Sequence, residues 1–194
     1  GTVDVPAGTP AGTYTIAYQI CEELNPTNCS DNVATITVDP SPIVATNDSA
    51  TGINGADGAT GVVNAFNGDT INGAPADPSN AILSVAPGSS VPAGLTFDPA
   101  TGNVDVAPGT PAGTYSFEYQ ICEALNPNNC QTATISVTVD AAVIAADPDA
   151  TSGVNGATGA TDVLDVLDGD TLNGAPATLA DVDITVLTPA TPAN

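Results

Sequence analysis

Two stretches of alternating apolar and polar residues dominate the chain, and their sequences are nearly the same. Residues 8–29 read GTPAGTYTIAYQICEELNPTNC, and residues 109–130 read GTPAGTYSFEYQICEALNPNNC. The bulky side chains on one side of each run are Tyr14, Ile16, Tyr18 and Ile20 in the first and Tyr115, Phe117, Tyr119 and Ile121 in the second. Because successive side chains of a strand point to opposite faces, this alternation predicts amphipathic strands. A second alternating run follows each cysteine loop, so each stretch predicts an antiparallel pair of strands with one buried face.

The rest of the chain repeats with the same period of about 100 residues, which is the size of a domain. Cys21 recurs as Cys122, and the Gly-Asp-Thr turn at 68–70 recurs at 169–171. The predicted parts are the C-terminal part of one copy at 1–39, a complete copy at 40–140 and the N-terminal part of a third copy at 141–194. Two explanations stay open for the partial copies: the chain is a segment of a longer repeat protein, or neighbouring chains complete its halves.

Short runs between turn residues predict the remaining strands, and no segment predicts a helix. The predicted strands are 43–46, 62–66 and 81–85 in the complete copy and 143–146, 163–167 and 182–187 in the third. Residues 1–5 are predicted to end a hairpin whose full form is 95–106, and the segments 48–61 and 149–162, rich in small residues, are predicted loops. Regularly spaced short strands of this kind indicate a β-sandwich of about seven strands per copy.

Three segments resemble known bacterial surface repeats. Residues 91–102, VPAGLTFDPATG, followed later by PAGTY, resemble the immunoglobulin-like repeats of bacterial surface proteins. Residues 64–75, NAFNGDTINGAP, and 165–176, DVLDGDTLNGAP, resemble the strand-turn segment of cadherin-like and immunoglobulin-like repeats in large adhesins. The resemblance implies an all-β fold of tandem immunoglobulin-like antiparallel β-sandwich repeats of about 100 residues, with incomplete copies at both ends. It also implies a secreted or cell-surface stalk, filament or adhesin.

The composition argues against several functions. The chain has no Lys, Arg or His and 22 acidic residues, for a formal net charge of −22. This charge repels phosphate backbones and anionic lipids, so we expect no nucleic-acid or membrane-surface partner. No apolar run is long enough for insertion into a membrane. Without histidine, lysine or arginine, the chain lacks the usual general bases and oxyanion clamps, so we expect no enzyme activity.

Four cysteines form two C-x7-C pairs, each flanking an Asn-Pro loop: Cys21 with Cys29, and Cys122 with Cys130. The alternatives are a disulfide in each loop or two free, buried thiols. We expect disulfides, because both members of each pair sit where two strands leave a hairpin. No histidine and no C-x2-C spacing accompanies them, which argues against metal ligation. Disulfides persist in oxidising compartments, so the pairs predict an extracellular or cell-surface location.

Carboxylates at loops, strand ends and copy junctions are candidate calcium ligands, because Ca²⁺ binds through oxygen and needs neither nitrogen nor sulfur. The candidate metal ligands are Asp39, Asp48, Asp69, Asp140, Asp149, Asp168 and Asp170. The alternative is that these residues are solubilising surface charges and turn formers, since Asp favours turns on its own account.

These features predict a structural repeat of an extracellular bacterial filament, sheath or stalk, whose domains are completed head-to-tail between chains or copies. Its partners would then be other copies of itself. The alternative is a spacer region of a long single-chain surface adhesin, stiffened by Ca²⁺. Residues 39–43 and 140–144 are short junctions, so either function predicts limited freedom between copies.

Overall fold

A computed structural model describes residues 1–188 and shows an all-β protein, as the sequence predicts. Within these residues the chain forms fifteen strands and no helix, and therefore no helix that could cross a membrane. The N-terminal hairpin consists of β1 (Gly12–Cys21) and β2 (Cys29–Val38). The strands of residues 40–140 are β3 (Ile43–Val44), β4 (Asp48–Asn54), β5 (Ala59–Asn64), β6 (Thr70–Ile71), β7 (Ala74–Pro75), β8 (Ala81–Val85), β9 (Leu95–Phe97), β10 (Asn103–Val106), β11 (Gly113–Glu123) and β12 (Cys130–Asp140). The last three strands are β13 (Ile144–Ala145), β14 (Thr171–Leu172) and β15 (Ala175–Pro176).

The chain divides into two units, Gly1–Asp140 and Ala141–Asn194. The first unit contains the N-terminal hairpin and a complete sandwich, called here the central sandwich. The second contains the small sheet β13-β14-β15, which has the same strand order as the sheet β3-β6-β7 of the first unit. Each of these two sheets turns at an Asn-Gly pair, Asn72-Gly73 and Asn173-Gly174, whose positive φ values suit a tight hairpin turn. Residues 189–194 of the predicted third copy lie outside the described residues.

Two main sheets form the central sandwich. One has the strand order β4-β12-β11-β8, and the other has the order β5-β10-β9. In chain order, β8, β11 and β12 occupy the positions of strands C, F and G of an immunoglobulin domain, and β5, β10 and β9 those of strands B, E and D. Strand β4, the first strand of these two sheets in chain order, pairs in parallel with the last strand, β12. The larger sheet is therefore mixed, and it departs at this pairing from the antiparallel sandwich that the sequence predicts.

Strand β4 corrects a second prediction, because it lies in the segment 48–61 that sequence analysis assigned to a loop. Its sequence, DSATGIN, has one bulky apolar residue, Ile53, and so shows no alternation. The strand forms because it adds to the edge of β12, whose backbone groups need hydrogen-bond partners. Ile53 joins the core from this position.

The inner faces of the two sheets enclose one apolar core. The buried residues that β11 and β12 contribute are Phe117, Tyr119, Ile121, Ala133, Ile135, Val137 and Val139. Across the core, the rings of Phe117 and Phe97 pack with centroids 5.5 Å apart. At the start of β11, the Tyr115 hydroxyl donates to the carbonyl of Pro111 at 2.8 Å, which is the tyrosine-corner bond of immunoglobulin-like domains. The aromatic side of the predicted alternation is the buried side.

Three predicted strands do not form. Residues 1–5, 163–167 and 182–187 contain no strand. The equivalent residues of the central sandwich belong to or overlap β10, β5 and β8, each of which is paired with a neighbouring strand. Short strands need such neighbours to satisfy their backbone groups. Apolar alternation in these three segments was therefore insufficient evidence for strand structure.

Candidate functional site

The N-terminal hairpin carries an exposed apolar face. Its side chains, Tyr14, Ile16, Tyr18 and Ile20, are together called the open hairpin face. Ile16 is 41% exposed and Tyr18 is 45% exposed. Their equivalents in the central sandwich, Phe117 and Tyr119, are 3% and 0% exposed. Equivalent strands with nearly the same sequence thus present a surface in one copy and a core in the other.

A cavity of about 350 Å³ lies along the open hairpin face. Its apolar walls are Val3, Val5, Pro6, Tyr14, Ile16, Ile36 and Val38. In the central sandwich, the residues equivalent to Val3 and Val5 are Val104 and Val106, which are buried. The open hairpin face therefore presents one side of a sandwich core to solvent.

The second unit presents an apolar groove of about 470 Å³, called here the unit-2 groove. Its apolar lining is Ile144, Ala146, Val166, Leu167, Ala177, Val182 and Ile184, and Asp170 lies at its wall. The equivalents of Val166, Val182 and Ile184 in the central sandwich are Ala65, Ala81 and Leu83, and all three are buried. The groove is therefore lined by residues whose equivalents belong to a sandwich core.

A polar cluster lies inside the central sandwich, around the hydroxyl of Tyr119. This hydroxyl is 2.8 Å from Oδ2 of Asp69, 3.0 Å from the carbonyl oxygen of Thr46 and 3.3 Å from Oδ2 of Asp48. The backbone N–H of Thr46 donates to Oδ1 of Asp69 at 2.7 Å. Asp69 is 1% exposed, so this buried carboxylate depends on hydrogen bonds for its stability. The cluster ties β11 to the segment between β3 and β4 and to the turn before β6.

The cluster has fewer protons than acceptors. The Tyr119 hydroxyl carries one hydrogen but faces three acceptor oxygens, so a proton on Asp48 would turn one of these acceptors into a donor. Burial, and then the charge of Asp69, raise the pKa of Asp48 to about 6, against a lowering by the hydrogen bond from Tyr119. Burial and the hydrogen bond to Asp69 also raise the pKa of Tyr119 above its ordinary value, so its hydroxyl stays protonated. The sequence did not predict this cluster; the available signal was an inward-facing tyrosine, since a buried phenol needs a partner.

The second unit contains the carboxylate half of the same arrangement. The backbone N–H of Asp147 donates to Oδ1 of Asp170 at 2.8 Å, which repeats the contact between Thr46 and Asp69. The pKa of Asp149 is raised by desolvation and then by four carboxylates, those of Asp170, Asp168, Asp165 and Asp147. Residues 141–194 contain no tyrosine. The equivalent of Tyr119 is Tyr18, on the open hairpin face.

The predicted calcium ligands fall into three separate places. At the copy junctions, Asp39 follows the end of β2 and Asp140 ends β12, and both are exposed. Asp48 and Asp69 belong to the Tyr119 cluster. The remaining three, Asp149, Asp168 and Asp170, lie in the second unit. Within residues 1–188, no group of three or more Asp, Glu, His or Cys side chains is arranged to hold a metal ion. Calcium binding stays a prediction, and a calorimetric titration of chelator-treated protein that shows no heat would contradict it.

Two disulfides close the loops at the ends of the long hairpins. Cys21 is bonded to Cys29 with Cα atoms 4.1 Å apart, and Cys122 to Cys130 with Cα atoms 4.0 Å apart. Each bond joins residues that are direct cross-strand partners. No cysteine in the described part of the chain is free.

Comparisons with protein-family models and with curated protein sequences gave no match. Among solved structures, the chain is similar to a SusE-like, surface-located polysaccharide-binding protein from the heparin utilisation locus of Bacteroides thetaiotaomicron, with 17% identity, a TM-score of 0.36, and coverage of 64% of this chain and 18% of that one. It is also similar to domains EC1–3 of the mouse clustered protocadherin PcdhgC3, with 11% identity, a TM-score of 0.37, and coverage of 66% and 43%. A third similar structure is the protocadherin gammaB7 EC3–6 cis-dimer, with 10% identity, a TM-score of 0.39, and coverage of 74% and 36%. The chain spans less than half the length of each of these three proteins.

Proposed function

We propose that this protein is a non-catalytic structural module of an extracellular filament, sheath or stalk. In this proposal, the open hairpin face of one copy docks into the unit-2 groove of another copy and completes a sandwich there. The observation that carries the proposal is the difference in burial between the equivalent strands β1 and β11. Ile16 and Tyr18 are exposed in β1, whereas Phe117 and Tyr119 are buried in β11. The central sandwich thus provides a template for what covers this face.

The apolar surfaces support the match. The open hairpin face consists of the counterparts of the β11 side chains that face the core of the central sandwich, and the unit-2 groove contains counterparts of buried residues of the same core. Burying apolar surface of this kind contributes about 25 cal/mol per Å². Leaving it in water is unfavourable, so two such surfaces of complementary shape favour association.

One pair of equivalent glycines supports the same geometry. A Cβ atom at Gly55 would collide with the carbonyl oxygen of Thr110, so this position has no room for a side chain. The backbone N–H of Thr110 also donates to the carbonyl of Gly55 at 3.1 Å. At the equivalent Gly156, a Cβ atom would meet nothing within 4 Å. In a completed sandwich, Thr9 of the docking hairpin would occupy the space over Gly156.

The polar groups support a defined register. Tyr18 of the docking hairpin would stand where Tyr119 stands, and its hydroxyl would donate to Asp170 in the groove. This hydrogen bond to a buried carboxylate would be lost if the hairpin slipped by one residue, because the phenol would then point to the opposite face. Tyr18 therefore selects one register among the apolar alternatives.

We infer the location from the disulfides and from the resemblance to surface repeats. Both cysteine pairs are disulfides, and disulfides persist in oxidising compartments. The resemblance to bacterial surface repeats favours the same location. Because the two docking surfaces are different parts of the chain, the contact is heterologous, and a heterologous contact whose rotation does not close generates a filament.

Sedimentation velocity over a range of protein concentrations at neutral pH tests this function. We expect a series of growing species in the wild-type protein. Tyr18→Ala removes a central side chain of the open hairpin face and should reduce the association. Thr13→Ala, at an exposed position of β1 that faces away from the open hairpin face, is the matched control and should leave it unchanged. A wild-type protein that stays monomeric at every concentration would overturn completion between chains and leave the spacer function.

A further inference from the structure

The disulfide loop of the central sandwich binds the segment that leads into that sandwich. The backbone N–H of Ser41 donates to Oε2 of Glu123 at 3.0 Å, and the Ser41 hydroxyl donates to Oε1 at 2.7 Å. The side-chain amide of Asn129 donates to the carbonyl of Ser41 at 2.7 Å and to Oε2 of Glu123 at 3.0 Å. Every polar backbone atom of Ser41 is therefore bonded to this loop.

The same loop also reaches the N-terminal hairpin. The backbone N–H of Ala11 donates to Oδ1 of Asn126 at 2.7 Å. Ala11 lies directly before β1, and Ser41 lies three residues after the end of β2. The loop between Cys122 and Cys130 thus contacts the chain on both sides of the hairpin that precedes the central sandwich.

The buried charge of Glu123 depends on these hydrogen bonds. Glu123 is 4% exposed, and the chain has no Lys, Arg or His to neutralise it. Burial raises the pKa of Glu123, but hydrogen bonds from the Asn126, Ser41 and Asn129 side chains outweigh burial and hold the pKa below its ordinary value. A buried carboxylate of this kind is stable only while its donors stay in place, and two of those donors belong to Ser41.

The corresponding loop of the N-terminal copy, between Cys21 and Cys29, shows the hydrogen bonds of the equivalent glutamate where no linker segment is bound to it. Asn25 donates to Oε1 of Glu22 at 2.6 Å, and Asn28 donates to Oε2 at 2.9 Å. Glu22 is exposed. The glutamate and its amide donors are therefore organised by the loop itself, whereas the burial of Glu123 accompanies the binding of Ser41.

We propose that the disulfide loop is an interdomain clamp, which fixes each sandwich to the copy before it by binding the linker serine through its glutamate and the preceding hairpin through its first asparagine. Its ligand is an extended segment with a free backbone N–H and a hydroxyl on the same residue. The clamp does not depend on completion of sandwiches between chains. It supplies the chemical basis for the limited freedom that the short junctions predict.

Amide hydrogen exchange, measured by NMR on the full chain at low concentration, tests the clamp at the two amides it holds. In Glu123→Gln, we expect the amide of Ser41 to exchange about tenfold faster, because the neutral side chain has one acceptor oxygen in place of two. In Asn126→Ala, we expect the amide of Ala11 to exchange faster by a similar factor. The matched control, Glu22→Gln, makes the same chemical change in the exposed loop and should alter neither amide.

Two outcomes would overturn the clamp. One is unchanged exchange at Ala11 and Ser41 in the variants of the central loop. The other is an equal increase in Glu22→Gln, which would show that the effect is not specific to that loop. Core amides of β12 serve as the readout for folding, and they should keep their protection in Asn126→Ala. If Glu123→Gln does not fold, Ser41→Ala and Asn126→Ala carry the test.

Discussion

The two long hairpins of this protein have nearly the same sequence and the same register, but different surroundings. Gly12 pairs with Val38 as Gly113 pairs with Val139, and both hairpins end at a disulfide. The tyrosine-corner bond also forms in both, at 2.8 Å. Only the β11–β12 hairpin is covered on its apolar face. Cross-strand pairing and the local bonds of the turn therefore depend on the sequence of the hairpin alone, whereas burial depends on the segments that pack against it.

Replacing the equivalent tyrosine by alanine in each hairpin should give the largest difference in stability between them. Tyr119→Ala removes a fully buried ring and its hydrogen bond to Asp69, so we expect the central sandwich to lose about 3–5 kcal/mol of stability. Tyr18→Ala in dilute protein should change the stability of the central sandwich by less than about 0.5 kcal/mol, because Tyr18 is exposed. Exchange of the slowest amides of β12 measures both effects. Equal losses in the two variants would contradict the assignment of different surroundings.

Removal of each disulfide should give a smaller difference. Replacing Cys122 and Cys130 by serine opens a short loop next to the core, and we expect a loss of about 2 kcal/mol, or a melting temperature lower by roughly 10 °C. The same change at Cys21 and Cys29 should leave the melting of the central sandwich unchanged. Scanning calorimetry of both double variants measures the difference. A similar fall in both would mean that the N-terminal hairpin contributes to the stability of the central sandwich.

The smallest expected effect is a pH dependence that comes from Asp48, which accepts a hydrogen bond from Tyr119 of the covered hairpin. The pKa of Asp48 is raised to about 6 in the folded protein, so the folded state binds this proton more tightly than the unfolded state does. The contribution of Asp48 to stability is therefore present at low pH and is lost as pH rises from about 4 to 6. Comparing urea midpoints at pH 5 and pH 7.5 measures the loss, which Asp48→Asn should remove. Asp57→Asn, which deletes an exposed carboxylate, is the control and should keep the wild-type slope.

Sequence alone predicted the parts of the fold that alternation encodes. The long strands β11 and β12 and the inward position of Tyr119 follow from side-chain period and bulk. Strand β4 was missed because small residues carry no period and its formation depends on the edge of β12. Residues 163–167 show the converse failure, since their alternation is present but no partner strand pairs with them.

The polar sites were harder to predict than the core. Asp48 and Asp69 were identified as candidate ligands, but their partner, the hydroxyl of Tyr119, comes from a strand fifty residues further along the chain. Glu123 was not among the predicted site residues. Its role depends on Ser41, 82 residues away in sequence, and no local pattern connects the two.

The parallel pairing of β4 with β12 has a mechanical consequence. These strands are the first and last of the two main sheets in chain order, and Asp48 lies beside Ile135 while Asn54 lies beside Asp140. Tension along the polypeptide would pull β4 by its leading end and β12 by its trailing end, in opposite directions. The two strands would have to slide past each other, so their hydrogen bonds would bear the load together instead of opening one at a time. A module built this way resists stretching through shear.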